Sequence, residues 1–70
     1  MGTIHYIDIT EVQKGDIVRF KSYSLRVEDE PIRRGDAITL RGRESINGCG
    51  LVTKRFTRGL RVRVERESLA

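Results

Sequence analysis

Apolar and polar residues alternate along most of this chain. In the stretch GLRVRVERE, Leu60, Val62 and Val64 fall on one face, and the charged residues between them fall on the other. A repeat of two residues is typical of a β-strand with one buried face. Five other short stretches have strand-like alternation or composition. The six predicted strands are Thr3–Ile9, Asp16–Phe20, Ser24–Asp29, Ala37–Arg43, Gly50–Phe56 and Gly59–Glu67.

Glycine, asparagine and proline mark the breaks between these strands. Asn47-Gly48 tolerates positive φ and predicts the tip of a hairpin between the strand at 37–43 and the strand at 51–56. Arg58-Gly59 joins the second of these to the last strand. Pro31 ends the strand before it, so the stretch PIRRGD is predicted to be a loop.

One helical turn is predicted near residues 10–15. Thr10 and Gln13 have the spacing of a capping box, and Gly15 offers an end for the turn. We expect this turn to place Ile9 and Val12 beneath the sheet.

Short strands, sharp turns and one helical turn predict an all-β fold. The chain of 70 residues is long enough for one domain, residues 1–70. The first choice is a small SH3-like barrel of five to six short antiparallel strands. The alternative is an OB-type barrel, which generally needs more residues and a longer helix.

The stretches QKGDIVRF and RRGDAITL share a pattern of a basic residue, Gly-Asp and alternating apolar residues. In each, glycine permits a turn that aligns the following strand, and aspartate can accept backbone N–H groups at that turn. The alternative is a catalytic carboxylate pair, Asp16 with Asp36, which requires both side chains to converge in one pocket. We expect the turn role for both.

The residues Lys14–Phe20, KGDIVRF, resemble the opening of SH3-like barrels of the KOW type. That family occurs in ribosomal and transcription-elongation proteins and binds RNA or protein. The glycine-rich continuation of the motif is replaced here by KSYSLRVED. The resemblance implies the same barrel fold and the binding of RNA or protein.

The net charge of +4 is unevenly distributed. Residues 1–30 carry four basic and six acidic side chains, whereas residues 31–70 carry ten basic and four acidic ones. Eleven of the fourteen basic residues are arginine, which pairs with planar anions through two hydrogen bonds. The basic half indicates an acidic partner, either a protein or nucleic acid. The alternative is a charged surface that only maintains solubility.

Signals for catalysis, metals and cofactors are weak. His5 and Cys49 are the only His and Cys residues, too few for a zinc site, and no sequence feature places a base beside Cys49. No enzyme activity, metal or cofactor is therefore expected. The lone cysteine and the lack of a signal peptide or a long apolar run favour a cytoplasmic protein without a membrane segment.

Basic side chains predicted to face outwards form the candidate site, with a tyrosine that could stack on a ligand. The candidate residues are Arg41, Arg43, Lys54, Arg55, Arg58, Arg61, Arg63 and Tyr23. The first hypothesis is a docking module for an acidic protein, or an accessory subunit of a larger complex, in which exposed Tyr6, Tyr23, Ile46 and Leu69 flank the arginines. The alternative is a barrel that grips the nucleic-acid phosphate backbone with little sequence specificity. A ligand site between subunits is a third, less favoured hypothesis, and the sequence leaves the oligomeric state open.

Overall fold

A computed structural model of the protein describes residues 2–45 and 50–67. Within these ranges the chain forms one curled antiparallel sheet and one short 3-10 turn, Ile9–Glu11. The described part contains no helix with the length and apolar character that crossing a membrane requires. The strands are β1 (Gly2–Asp8), β2 (Ile17–Arg19), β3 (Ser24–Val27), β4 (Ile32–Arg34), β5 (Ala37–Glu44), β6 (Leu51–Thr57) and β7 (Arg61–Glu67).

The sheet has the order β1-β7-β2-β3-β5-β4, and β6 pairs with the other edge of β5. The last strand, β7, therefore lies between the first two strands of the chain. Strands β3 and β4 share one edge of β5, where β3 pairs with residues 42–44 and β4 with residues 37–39. This half-barrel, nearly all strand with a single 3-10 turn, confirms the predicted all-β class and is consistent with the SH3-like barrel.

The core lies inside the curl and takes residues from most of the strands. Val18, Leu25, Ile38, Leu40 and Val64 have no exposed surface. Each lies on the one buried face that the two-residue repeat predicts for its strand. The predicted pairing of the strand at 37–43 with the strand at 51–56 is also confirmed, while the predicted Asn47-Gly48 tip lies outside the described residues.

Leu60 departs from the alternation that groups it with Val62 and Val64. It is 44% exposed, whereas Val62 is 5% exposed and Val64 is fully buried. Strand β7 begins at Arg61, so Leu60 lies just before the strand, after the turn at Arg58-Gly59. Its carbonyl accepts the Ile9 N–H at 2.7 Å, which attaches this turn to the end of β1.

The sheet has seven strands rather than the predicted five to six, because PIRRGD contains a strand. Residues Ile32–Arg34 form β4, which pairs with the start of β5 in the register Ile32↔Thr39 to Arg34↔Ala37. Gly35, with φ of 58°, and Asp36 are the two residues of a tight hairpin turn. The pattern missed β4 because it is a three-residue edge strand in which all three residues are exposed.

The helical turn begins earlier than predicted. It spans Ile9–Glu11, and its N-cap is Asp8, whose carboxylate accepts the Thr10 N–H at 3.0 Å and the Thr10 hydroxyl at 2.6 Å. The predicted cap at Thr10 was therefore wrong, since Thr10 donates to the cap. The packing prediction holds, because Ile9 and Val12 are both fully buried.

The two Gly-Asp pairs share a positive φ at glycine, 91° at Gly15 and 58° at Gly35. The aspartates differ. Asp16 is 1% exposed and accepts the Gln13 N–H at 2.9 Å, as predicted. The Asp36 side chain is 77% exposed and pairs with Arg58 at 3.6 Å. At the first pair both the glycine and the aspartate have the predicted turn role. At the second pair only the glycine has it, because the aspartate forms a surface ion pair.

Candidate binding surface on strands β1 and β7

The structure divides the eight predicted site residues between two faces of the sheet. Strand alternation places the arginines of β5, β6 and β7 on the outer face and Lys54 on the inner face, level with Val52 and Phe56. Tyr23 stacks on the inner residue Phe20, and Arg58 lies in the turn between β6 and β7. The outer set is Arg41, Arg43, Arg55, Arg61 and Arg63.

Carboxylates accompany the arginines on β5. Arg41 lies 3.6 Å from Asp29, and Arg43 lies 3.3 Å from Glu28. Both carboxylates are on the segment after β3, which hydrogen-bonds to the Arg41 carbonyl through Glu28 N–H and Asp29 N–H. The positive potential over this part of the outer face is therefore reduced. Backbone hydrogen bonds hold the two carboxylates beside the arginines.

Lys54 and Tyr23 contact each other and neighbouring side chains at the margin of the core. The Lys54 ammonium lies 3.2 Å from Glu44 and 4.8 Å from the centre of the Tyr23 ring. Glu44 first, and then the Tyr23 side chain, raise the pKa of Lys54 above its ordinary value of 10.5. Tyr23 stacks on Phe20 at 4.7 Å between ring centres, and Phe20 stacks on Phe56 at 5.4 Å. These contacts give both residues a packing role.

On β1 and β7, exposed apolar side chains lie next to arginines. Tyr6 and Ile4 are 61% and 63% exposed and lie on the outer face of β1. Arg63 is directly opposite Tyr6 in the register. The Arg61 guanidinium carbon lies 5.1 Å from the centre of the Tyr6 ring, and its Nη2 donates to the Tyr6 carbonyl at 3.3 Å. We call these four residues, Ile4, Tyr6, Arg61 and Arg63, the Tyr6 surface.

The charges of the Tyr6 surface are not neutralised within the described part of the chain. Neither Arg61 nor Arg63 has a carboxylate within 4.0 Å among residues 2–45 and 50–66. The neighbouring Arg19 is opposite Arg63 across β2 and β7, and it pairs with Glu65 through its Nε at 2.7 Å. The Tyr6 surface therefore combines two guanidinium groups with two exposed apolar side chains.

Local sequence explains why these side chains are exposed. Strand β1 alternates so that Ile7 points to the core and Ile4 and Tyr6 point away from it. Residues 2–6 are exposed on both faces, because the core reaches only the end of β1. The arginines of β7 alternate with the buried Val62 and Val64, so they share the outer face with Tyr6.

At the C-terminal end of β7, Arg66 forms a partly buried ion pair with Asp16. Arg66 donates from Nε and Nη2 to the two carboxylate oxygens of Asp16 at 2.9 and 2.8 Å. An open cleft of about 850 Å³ lies beside them. Asp16 raises the pKa of Arg66 above its ordinary value. Because each group already binds the other, this pair is suited to holding β7 against the turn at Gly15.

Metal chemistry finds no support in the described ranges. There, no group of three or more His, Cys, Asp or Glu side chains could hold a metal ion. His5 is exposed, with its Nε2 2.9 Å from the Thr3 hydroxyl. Cys49 lies outside the described residues, as do Ile46 and Leu69 of the predicted apolar flank.

Comparison with known proteins finds no family model, no curated protein sequence and no solved structure that matches this chain. The resemblance of Lys14–Phe20 to KOW-type barrels thus rests on those seven residues alone.

The predicted site omitted Ile4, which contributes the most exposed apolar side chain of the Tyr6 surface. Tyr6 was expected to flank the arginines but was not placed among the binding residues. Alternation alone puts Ile4 and Tyr6 on one face of β1. Their position beside Arg61 and Arg63 follows from the pairing of β1 with β7, which the sequence pattern does not contain.

Proposed function

We propose that this chain is a non-catalytic binding module that docks an acidic segment of a protein partner on the Tyr6 surface. The observation that carries the proposal is the exposed Tyr6 ring, which has the Arg61 guanidinium over it and Arg63 opposite it in the register. Neither arginine has a carboxylate partner among the described residues. Arginine and tyrosine are among the residue types that contribute most to the binding energy of protein interfaces. An accessory subunit of a larger complex would use the same surface.

Two features favour a protein partner over nucleic acid. On the outer face Arg19, Arg41 and Arg43 each pair with a carboxylate, so they do not form the continuous track of unpaired positive charge that a phosphate backbone follows. The Tyr6 surface also includes Ile4, which offers apolar contact area next to the charges. A mixed apolar and basic surface suits a peptide that carries both carboxylates and apolar side chains.

Binding of two labelled probes tests this proposal. The first is a fluorescein-labelled peptide of alternating glutamate and valine residues, and the second is a labelled single-stranded DNA. We expect anisotropy to show peptide binding that weakens as salt is raised, because exposed charges are screened. Removing both guanidinium groups with Arg61→Ala and Arg63→Ala should weaken binding by about tenfold or more.

Arg41→Ala is the matched control, since Arg41 is an outer arginine that already pairs with Asp29. We expect it to change peptide affinity by less than about twofold. Equal losses in the control and in the double variant would contradict the assignment of the Tyr6 surface. Tighter binding of DNA than of peptide at the same salt concentration would instead support the nucleic-acid alternative.

A further inference from the structure

The backbone of β1 has a free edge, and hydrogen-bond alternation identifies the residues that face it. Phe20 N–H donates to the Tyr23 carbonyl at 2.8 Å, and Val27 N–H donates to the Asp16 carbonyl at 2.9 Å. The even-numbered residues of β2 therefore bond to β3, which leaves Ile17 and Arg19 to bond to Glu65 and Arg63 of β7.

The same alternation carries across β7 to β1. Since Arg63 and Glu65 bond to β2, Val62, Val64 and Arg66 bond to β1. Their partners on β1 are Ile7, His5 and Thr3. The N–H and C=O groups of Gly2, Ile4, Tyr6 and Asp8 consequently point away from the sheet. The bond from Arg61 Nη2 to the Tyr6 carbonyl agrees with this assignment, because that carbonyl is accessible.

Apart from Arg61, whose Nη2 donates to the Tyr6 carbonyl, the described residues at this edge lack the features by which proteins protect exposed strands. Residues Thr3–Ile7 contain no proline, no lysine and no other formally charged side chain, and they pair in a regular register without a bulge. Among the described strands, β1 pairs with β7 only. An unprotected edge of this length is a template for a further strand.

We propose that an acidic segment of the partner binds in extended form and adds as a strand along the free edge of β1. This inference rests on the proposed function and specifies its binding mode. Main-chain hydrogen bonds to Ile4 and Tyr6 would provide affinity. The Arg61 guanidinium, held over Tyr6 at this edge, would select for a carboxylate on the added strand.

Charge favours an acidic segment over a second copy of the chain. Antiparallel pairing of two β1 strands about His5 would place Ile4 opposite Tyr6 of the other copy, which satisfies the backbone. It would also bring together two Arg61 guanidinium groups and two chains that each carry a net charge of +4. An acidic strand would form the same backbone hydrogen bonds, and its negative charge would attract the Arg61 guanidinium rather than repel it.

Amide exchange measured by NMR tests the binding mode with the glutamate–valine peptide. We expect saturating peptide to slow exchange of the Ile4 and Tyr6 amides by about tenfold or more, with little change at Thr3 and His5. Strand addition predicts protection at alternate residues, because successive N–H groups of β1 point to opposite edges of the strand. Peptide binding that protects neither Ile4 nor Tyr6 would overturn strand addition while leaving the proposed function intact.

A matched pair of variants at Ile4 gives a second measurement. Ile4→Pro removes the N–H that faces the free edge, where proline is tolerated, and Ile4→Ala removes the side chain but keeps the N–H. We expect the proline variant to weaken peptide binding about tenfold more than the alanine variant. Equal affinities would overturn the proposal. If Ile4→Pro does not fold, alternate N-methylation of the peptide blocks the same hydrogen bonds from the other side, with the same expected loss.

Light scattering of the protein without peptide tests whether a second copy of the chain occupies the edge of β1. A monomer is expected. A dimer in which Ile4 and Tyr6 amides are already protected would show that a second copy occupies the edge, which would overturn the acidic segment. Absence of any peptide binding would reject the proposed function itself, a result distinct from binding without alternate protection.

Discussion

The carboxylate of Asp16 lies inside the half-barrel, with only 1% of the residue exposed. It accepts two hydrogen bonds from Arg66 and one from the Gln13 N–H. Asp16→Asn keeps the shape of the side chain but removes its charge, so the partly buried Arg66 loses the carboxylate that it contacts directly. Because Arg66 is 30% exposed, we expect a loss of about 2–3 kcal/mol in the free energy of unfolding, measured with urea.

Asp36→Asn is the control for this change, since Asp36 follows glycine in the second copy of the motif. Its side chain is 77% exposed, and its ion pair with Arg58 is at the surface. We expect the free energy of unfolding to change by less than about 0.5 kcal/mol. Similar losses at the two positions would contradict the structural difference between the two Gly-Asp pairs.

We expect the Asp8 carboxylate to make the free energy of unfolding depend on pH in the acid range. The Thr10 hydroxyl, followed by the Thr10 and Gly59 N–H groups, lowers the pKa of Asp8 from 3.8. A lowered pKa in the folded state stabilises the fold at pH above the unfolded value, and this contribution is lost as pH falls through the folded value. Asp8→Asn should keep the cap but remove that part of the pH dependence.

Urea unfolding of the wild type and of Asp8→Asn from about pH 7 to about pH 2 measures this contribution. The stability difference between the two proteins should be constant at neutral pH and should shrink in the acid range. A difference that stays constant throughout would show that the Asp8 carboxylate is not stabilised by the turn.

At the scale of elements, β5 depends on a glycine at its closest approach to β3. A Cβ atom built on Gly42 would lie 1.7 Å from the Arg26 carbonyl oxygen, a backbone atom that cannot move away easily. We expect Gly42→Ala to reduce the free energy of unfolding by about 3 kcal/mol or to prevent folding, because overpacking forces backbone shifts.

Gly50→Ala is the matched control, since a Cβ atom at Gly50 meets nothing within 4 Å. Its free energy of unfolding should differ from the wild type by less than about 1 kcal/mol. Circular dichroism with urea titration compares both variants. Equal stability of the two would mean that β3 and β5 do not approach each other at Gly42 as the structure shows.

Elements with one buried face are the ones that the sequence predicts well. Leu25 in β3, Leu40 in β5 and Val64 in β7 alternate with polar residues, and each lies in the core. Strand β4 has no buried residue to produce such a pattern and was predicted to be a loop. Its pairing with β5 depends on the hairpin turn at Gly35 and on an open edge of β5, which are tertiary conditions.

At the scale of the whole molecule, we expect stability to differ between β1 and the centre of the sheet. Residues 2–6 of β1 are exposed, whereas Val18 of β2 is fully buried between β7 and β3. The His5 amide, although bonded to β7, should therefore exchange by local opening, at least about tenfold faster than the Val18 amide. Amide exchange of the free protein measures this ratio, and equal rates would show that β1 opens only with the whole fold.

The sequence alone determined the all-β class, the buried face of most strands and the excess of arginine, because alternation and composition are local properties of the chain. The tertiary structure decided which charges meet. It paired Arg41 and Arg43 with carboxylates, turned Lys54 towards Tyr23, and brought Arg61 and Arg63 beside Tyr6. These contacts join residues far apart in the chain, so they follow from strand order and register, which the two-residue repeat does not specify.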